Sequence, residues 1–355
     1  MRRVGILISV VMMLILVTRG IAWSDYNGVL SELFFAREPI ARAQALGRAY
    51  VAIDDDGAAI FYNPAAGAAF GAPSACFSHS DRYYTLEDAA FTFGQVTVPL
   101  GRFGSIGFGK YHFDYGLETL DGNTTTMSAI ATAYSRRLKG DLFVGLGFER
   151  VRQDLTDDGS SAYLVNLGFL WSIWQSQSGS SRSQECWLGS SIMNLGGSSI
   201  TMGDQDFELP IIFRGGGVYR MSWQSASVLS SLETLAVLVD VEYESLLNSA
   251  FHRGLRVGAE IRVLEAVSLR VGHYDERLDD FRIESNRNSI EQTTYGFGIR
   301  VPMDKFSSRL PVTVGFDLTA LDSPSLVKGA SPTHRYRLYT ISVQGVGTLA
   351  RPRGE

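Results

Sequence analysis

The sequence predicts an all-β protein, a transmembrane antiparallel β-barrel of about 14 strands. Three observations carry the prediction. Apolar and polar residues alternate with period two along most of the chain, the connections between alternating segments are short and long in turn, and a segment resembling an export signal stands at the start. Side chains of a strand point alternately to opposite faces, so a strand of this pattern divides an apolar medium from a polar one. From Gly254 to Val263, Leu255, Val257, Ala259, Ile261 and Val263 share one face, while Arg256, Glu260 and Arg262 share the other. Thr234 to Tyr243 sets Val237, Val239 and Val241 against Asp240 and Glu242, and Val267 to Val271 sets Val267, Leu269 and Val271 against Ser268 and Arg270.

Taken in order, the chain begins Met1-Arg2-Arg3, continues through an almost wholly apolar Val4 to Val17, and presents Gly20-Ile21-Ala22 where a signal peptidase would cut. Residues 1–22 are expected to be a cleaved secretory signal. The alternative, a membrane anchor, needs roughly 20 apolar residues, and this run is shorter. No Cys follows it to take a lipid. Cleavage removes three Arg and no acid, so a chain of net charge −5 becomes more acidic on export. Beyond Ala22 no uncharged apolar stretch is long enough for a spanning helix. The 37 Gly, 20 Phe and 15 Tyr against 10 Pro suit aromatic, glycine-bearing strands. Length alone would allow one large barrel or two soluble domains. No Pro-rich or low-complexity linker divides the chain, and Ser-rich Gln175 to Gln184 reads as one long turn.

Asp25 to Ala69 departs from the alternation. Pro39 to Leu46 can form a short helix with Gly47 as its stop, Tyr50 to Ile53 is a brief apolar run, and Asp54-Asp55-Asp56-Gly57 is a turn. Ala58 to Phe70 is rich in small residues and interrupted by Pro64. A compact non-strand segment ahead of a barrel of intermediate bore suits a plug, because Ala and Gly let backbone pack closely.

The strands are expected at Ala75 to Tyr84, Ala90 to Leu100, Ser105 to Asp114, Met127 to Arg136, Leu142 to Arg152, Ala162 to Ile173, Cys186 to Leu195, Pro210 to Met221, Thr234 to Glu244, Gly254 to Val263, Val267 to Tyr274, Thr293 to Val301, Pro311 to Leu321 and His334 to Gln344. Pro99 to Gly104, Arg136 to Asp141 and Leu264 to Ala266 are short connections; Tyr115 to Thr126, Asn194 to Leu209 and Asp275 to Gln292 are long and polar. Short periplasmic turns and long outer loops place both chain ends in the periplasm. Trp174 to Glu185 and Ser222 to Glu233 are longer than that rule wants. Tyr83, Tyr84, Tyr111, Phe113, Tyr115, Trp171, Trp174, Tyr219, Trp223, Tyr336 and Tyr339 lie near strand ends, where an interfacial girdle would sit.

The segment Ala41 to Ala52, with Gly47, followed by Asp54-Asp55-Asp56-Gly57 and Asn63-Pro64-Ala65, resembles the opening signature of the PorV/PorQ proteins, within the wider FadL-like group of outer-membrane barrels. Ser191 to Gly196, Leu209-Pro210, Arg214 to Arg220 and Thr333-His334-Arg335 extend the resemblance over most of the chain. It implies a fourteen-strand barrel with an N-terminal lumenal hatch containing short helices: signal at 1–22, hatch at 23–71, barrel at 72–346 and a tail at 347–355. Two positions depart from the pattern. Arg48 stands where Gly is expected, and no terminal aromatic closes the chain for the barrel-assembly machinery.

No HExxH, GxSxG, P-loop or GxGxxG motif is present, so neither catalysis nor a cofactor is expected. Asp54, Asp55 and Asp56 lack the spacing of a calcium loop and read better as hydrogen-bonded turn acids than as metal ligands. Asn63-Pro64 is a rigid turn packing the hatch, or else a gate. Asp240, Glu242, Arg256, Glu260, Arg262 and Arg270 are expected to line the lumen, paired with one another or with the plug more readily than steering a ligand. His334-Arg335 reads as a loop anchor. Cys76 and Cys186 either form a disulfide or stand unpaired. The functions left open are passage of small apolar compounds, docking of exported proteins, and a soluble secreted β-protein. Expected partners are outer-membrane lipid, the assembly machinery, and apolar molecules or secreted proteins, with no nucleic acid.

Overall fold

A computed structural model describes residues 39–81, 88–118, 124–154, 159–178, 181–196, 199–202, 205–224, 233–247, 252–278, 288–305, 310–322 and 335–345. The signal (1–22), the tail (347–355), Tyr83, Tyr84, His334 and the hatch residues before 39 lie outside them.

Fourteen strands close into one antiparallel barrel: β1 (Ser74–Ser80), β2 (Ala90–Pro99), β3 (Ser105–Glu118), β4 (Thr124–Arg137), β5 (Leu142–Asp154), β6 (Ser160–Ser178), β7 (Arg182–Leu195), β10 (Ile212–Gln224), β11 (Glu233–Leu246), β12 (His252–Val263), β13 (Val267–Leu278), β14 (Asn288–Pro302), β15 (Val312–Asp322) and β16 (Arg335–Gly345). Each barrel strand pairs with the next, β7 with β10 across the intervening segment, and β1 pairs with β16 to close the wall. Closure leaves no barrel edge unpaired. A separate two-stranded hairpin, β8 (Ser199–Met202) with β9 (Gln205–Glu208), sits in the long connection expected to be loop.

Turn chemistry sets the short ends. Between β12 and β13, Leu264 and Glu265 both take left-handed backbone (φ 55° and 53°), and Ala266 N–H donates to Val263 O at 3.0 Å. Two left-handed residues twist a hairpin to match its strands. The Ser-rich stretch from Gln175 to Gln184 is a correction: it is mostly strand, with β6 running to Ser178 and β7 starting at Arg182. Cross-strand pairing held a polar run extended that composition alone assigned to a turn.

The wall is two-faced. Leu255, Ile261, Leu269, Val241 and Phe148 are outward and exposed, whereas Arg256, Glu260, Arg270, Asp240 and Glu242 are inward and at most 4% exposed. The girdle needs correcting at Tyr111, Phe113, Tyr115 and Tyr336, which are buried inward. Trp174 and Tyr219 remain on the outer face, stacked at 6.4 Å. Strand-end position says nothing about which face a ring occupies; parity in the register decides it. Cys76 lies inward on β1 and Cys186 outward on the distant β7, and both are free thiols.

Candidate functional site

Residues 39–72 fill the barrel as a plug built from α1 (Ala41–Ala45), a 3-10 turn (Gly57–Phe61) and α2 (Ala66–Phe70). Its small residues are fully enclosed: Ala41, Ala43, Ala45, Ala49, Ala52, Ala59 and Ala65 are all at 0% exposure. Such close packing requires a bare wall. Three cross-strand glycine pairs supply it: Gly258 with Gly272, Gly189 with Gly216, and Gly145 with Gly168. Leu46 and Gly47 seat in the first niche, Val51 and Ala52 in the second, and Asn63, Pro64 and Ala65 in the third. A Cβ on Gly272 would strike the Gly47 backbone nitrogen, and one on Gly145 the Pro64 carbonyl group. Gly47 ends α1 with φ 63°.

Arg48 follows at φ 67°, which explains the glycine expected there. Its side chain holds the strained backbone in place: Nη1 donates to Glu276 at 2.9 Å, and the guanidinium lies 4.2 Å from the Tyr274 ring centroid.

The predicted lumen-lining charges are tied to the plug. Arg42 on α1 donates to Glu260 (2.9 Å) and Asp55 (2.8 Å). Glu260 also receives Arg262 (2.6 Å) and Arg270 (2.5 Å), and Arg270 reaches Asp317 at 2.6 Å. Arg220 bridges Asp54 (2.9 Å) and Glu185 (2.5 Å). Arg256 sits among Glu244 (2.5 Å), Glu276 (3.0 Å) and Glu242 (3.4 Å). Glu242 Oε2 accepts the backbone N–H groups of Tyr50 and Val51, each at 2.7 Å. Asp240 points inward at 0% exposure, and its oxygens find no hydrogen-bond partner among the described residues.

The acidic run therefore divides into separate tasks. Asp54 and Asp55 dock to the wall, whereas Asp56 caps the 3-10 turn through Ala58 N–H (2.9 Å) and accepts from Tyr50 Oη (2.6 Å). Among the described residues no group of three or more His, Cys, Asp or Glu is arranged to hold a metal. Asn63 is a rivet: Nδ2 donates to Val51 O (2.8 Å) and to Phe169 O of β6 (2.9 Å), while Oδ1 accepts from Ala65 N–H (3.1 Å). Pro64 sits in the Gly145–Gly168 niche, so the Asn63-Pro64 turn is packed against the wall. Arg335 pairs with Asp322 across β15 and β16 at 2.7 Å.

Burial alone would push the Asp55 carboxyl up, but the guanidinium groups of Arg220, Arg42 and Arg262 outweigh it and hold it well below the usual carboxylate range. A depressed carboxyl contributes stability that is complete at neutral pH and is lost as pH falls through the folded value. The Asp55 contribution to plug docking is therefore expected to survive mild acid and to weaken only below about pH 4. Hydrogen exchange of the plug amides, corrected for intrinsic rates, checks this. Asp55→Asn should exchange faster already at pH 7, and an unchanged profile would contradict the assignment.

On the long-loop side of the plug lies a small open cavity of about 40 Å³, lined by Phe61, Tyr62, Tyr111, Ile212, Met193 and Pro39 with Glu149, Asn194 and Arg214 at its polar spots. Phe61 meets Phe93 edge-on at 5.4 Å and Tyr111 at 6.1 Å. Phe91, Phe113, Met127, Val151 and Leu164 continue this apolar inner wall over β2 to β6. The lumen is thus split, with the ionic lattice on β10 to β15 and an aromatic wall opposite. Beside the cavity the β6–β7 ladder slips between Val165 and Leu167, and Asn194, left-handed at φ 65°, donates its N–H to Asn166 Oδ1 at 2.8 Å. Neither the glycine niches nor the aromatic wall was read from the sequence. Their signal is inward parity at matched heights, which needs the cross-strand register.

No protein-family description matches the chain, and no curated protein matches it in sequence. Solved structures similar to it include the CymD monoaromatic hydrocarbon channel (13% identity, TM-score 0.48, covering 86% of this chain and 96% of that one). A Pseudomonas aeruginosa FadL homologue aligns at 10% identity and TM-score 0.45, covering 86% and 98%. The Pseudomonas putida toluene transporter TodX aligns at 11% and 0.45, covering 86% and 97%.

Proposed function

We propose that this chain is an outer-membrane barrel of FadL-like type, exported by a cleaved signal, which passes small apolar compounds inward past its N-terminal hatch. The observation that carries the reading is the aromatic-lined cavity above the plug, continuous with an apolar inner wall on β2 to β6. A water-filled pore for polar solutes wants a polar lumen, whereas an apolar solute gains roughly 25 cal/mol per Å² on leaving water. The outer face supports the membrane assignment: Leu255 (55% exposed), Leu269 (58%), Ile130 (58%) and Phe148 (55%) belong to a continuous apolar belt, which in water would far exceed an ordinary exposed patch. Within the FadL-like type, the motifs from Ala41 to Ala65 support the PorV/PorQ group.

The test is uptake of a radiolabelled monoaromatic hydrocarbon or long-chain fatty acid by cells expressing the chain. Tyr111→Lys with Ile212→Lys is expected to cut uptake at least about tenfold, because a charge set in an apolar site costs more than 1.4 kcal/mol, while the barrel still migrates as a heat-modifiable band. Wild-type uptake no faster than in cells lacking the chain would end the transport reading. Loss of surface proteins on deletion, with uptake intact, would replace it with docking of exported cargo.

A further inference from the structure

The outer face of β2 to β6 changes character along its height. Side by side across the five strands, one outward row reads Val96, Phe108, Thr132, Phe148, Val165, almost wholly apolar. The next row toward the long connections reads Gly94, Lys110, Ile130, Arg150, Tyr163, and the one after it Thr92, His112, Ser128, Arg152, Ser161. Lys110, His112, Arg150 and Arg152 are all exposed. With strands about 4.8 Å apart and side chains of one face about 7 Å apart along a strand, the four fall in a patch of roughly 10 by 7 Å. Gly94 adds no side chain, and nothing else lies within 4 Å of where its Cβ would be, so the wall beside Lys110 is bare. Arg150 lies over the Tyr163 ring at 6.0 Å from its centroid. Two acids lie nearby: Asp154 pairs with Arg152 at 3.0 Å, and Asp114 accepts the Gly116 N–H at 2.9 Å. Across the barrel the same boundary is mixed in charge, with Asp275 beside Glu291, Glu291 3.5 Å from His273, and Arg253 opposite Arg277 one outward row further on.

We infer that Lys110, His112, Arg150 and Arg152 form a binding site for the phosphate-bearing head group of a lipid in the leaflet on the long-loop side. The inference rests on the membrane reading proposed above. Lysine and arginine at the top of an apolar belt meet the layer where lipid phosphates lie, and guanidinium and ammonium groups are matched to phosphate oxygens. The acyl chains would run down Phe108, Ile130 and Phe148, which are 48%, 58% and 55% exposed. Four basic groups set against two acids would give the barrel a preferred lipid neighbour at β3 to β5.

The experiment uses the full chain in detergent micelles, with heat-modifiable gel mobility recorded for every variant. Equilibrium binding is measured for bisphosphorylated lipid A, for the same lipid with both phosphates removed, and for inorganic phosphate. Wild type is expected to prefer the phosphorylated lipid at least about tenfold, since each basic group near a charged surface contributes severalfold. Lys110→Gln with Arg150→Gln should erase that preference, whereas Arg335→Gln with Arg337→Gln, the same charge removed elsewhere on the outer face, should keep it. Equal losses in the two double variants, or equal binding of the dephosphorylated lipid, would overturn the site. Displacement of the lipid by equimolar inorganic phosphate would overturn the lipid assignment in favour of a free-phosphate site. A chain recovered as soluble and not heat-modifiable would overturn the membrane reading, an outcome distinct from a membrane-embedded barrel without lipid preference.

Discussion

Replacing Gly272 with leucine is expected to unseat the plug and turn a closed barrel into a conducting one. The glycine faces Gly258 across the β12–β13 pair, and the Leu46–Gly47 backbone occupies the space between them. The atoms a new Cβ would meet are the Gly47 nitrogen and the Leu46 carbonyl carbon, backbone with no side chain to swing aside. Overpacking of a filled interior costs about 1–3 kcal/mol even where side chains can yield. The wall, held by hydrogen bonds on both sides of each strand, is the stiffer partner, so the plug moves. Planar-bilayer recordings should show larger and more frequent conductance than wild type, together with faster proteolysis within residues 39–72. Gly94→Leu, on the outer face with open space around it, should conduct as wild type does. Unchanged conductance and proteolysis in Gly272→Leu would mean that the niche does not hold the plug.

The second large effect is expected at Arg256. Read as a strand in isolation, its face would be wet and Arg256→Ala mild. Enclosed at 0% exposure among Glu242, Glu244 and Glu276, it shares them with Arg214 (2.7 Å from Glu244) and Arg48 (2.9 Å from Glu276), so its removal leaves three buried carboxylates with one cation fewer. Breaking a buried ionic group from one side costs about 3–5 kcal/mol. Val257→Arg, one residue along on the opposite face, costs roughly 2–4 kcal/mol if that face meets lipid. The two substitutions should therefore be comparably damaging to the unfolding midpoint in urea, monitored by heat-modifiable mobility. Glu244→Gln with Glu276→Gln should restore part of the loss in Arg256→Ala and none in Val257→Arg. Without that selective rescue, the loss at Arg256 would be a matter of packing and not of charge.

Strand positions were legible because alternation is local. Ten or so residues around Val257 carry the pattern, and the structure moves most strand ends by only a few residues. The failures share one cause. Gln175 to Ser178 has the composition of a turn, and Tyr111, Phe113 and Tyr115 have the strand-end positions of a girdle, but cross-strand register decides both. Asp54, Asp55 and Asp56 look equal in the sequence, yet in the structure they divide into two wall anchors and one cap.

By itself the sequence determined that this chain makes a two-faced wall of about 14 strands with a non-strand segment ahead of it, since side-chain parity and turn chemistry act over a few residues. Only the tertiary structure decided that Gly145, Gly168, Gly189, Gly216, Gly258 and Gly272 meet in pairs beneath the plug, that Arg42 reaches Glu260 from 218 positions away, and that aromatic rings gather on one side of the lumen. Those contacts depend on barrel closure and register, which place residues far apart in sequence at the same height, and no local pattern encodes that height.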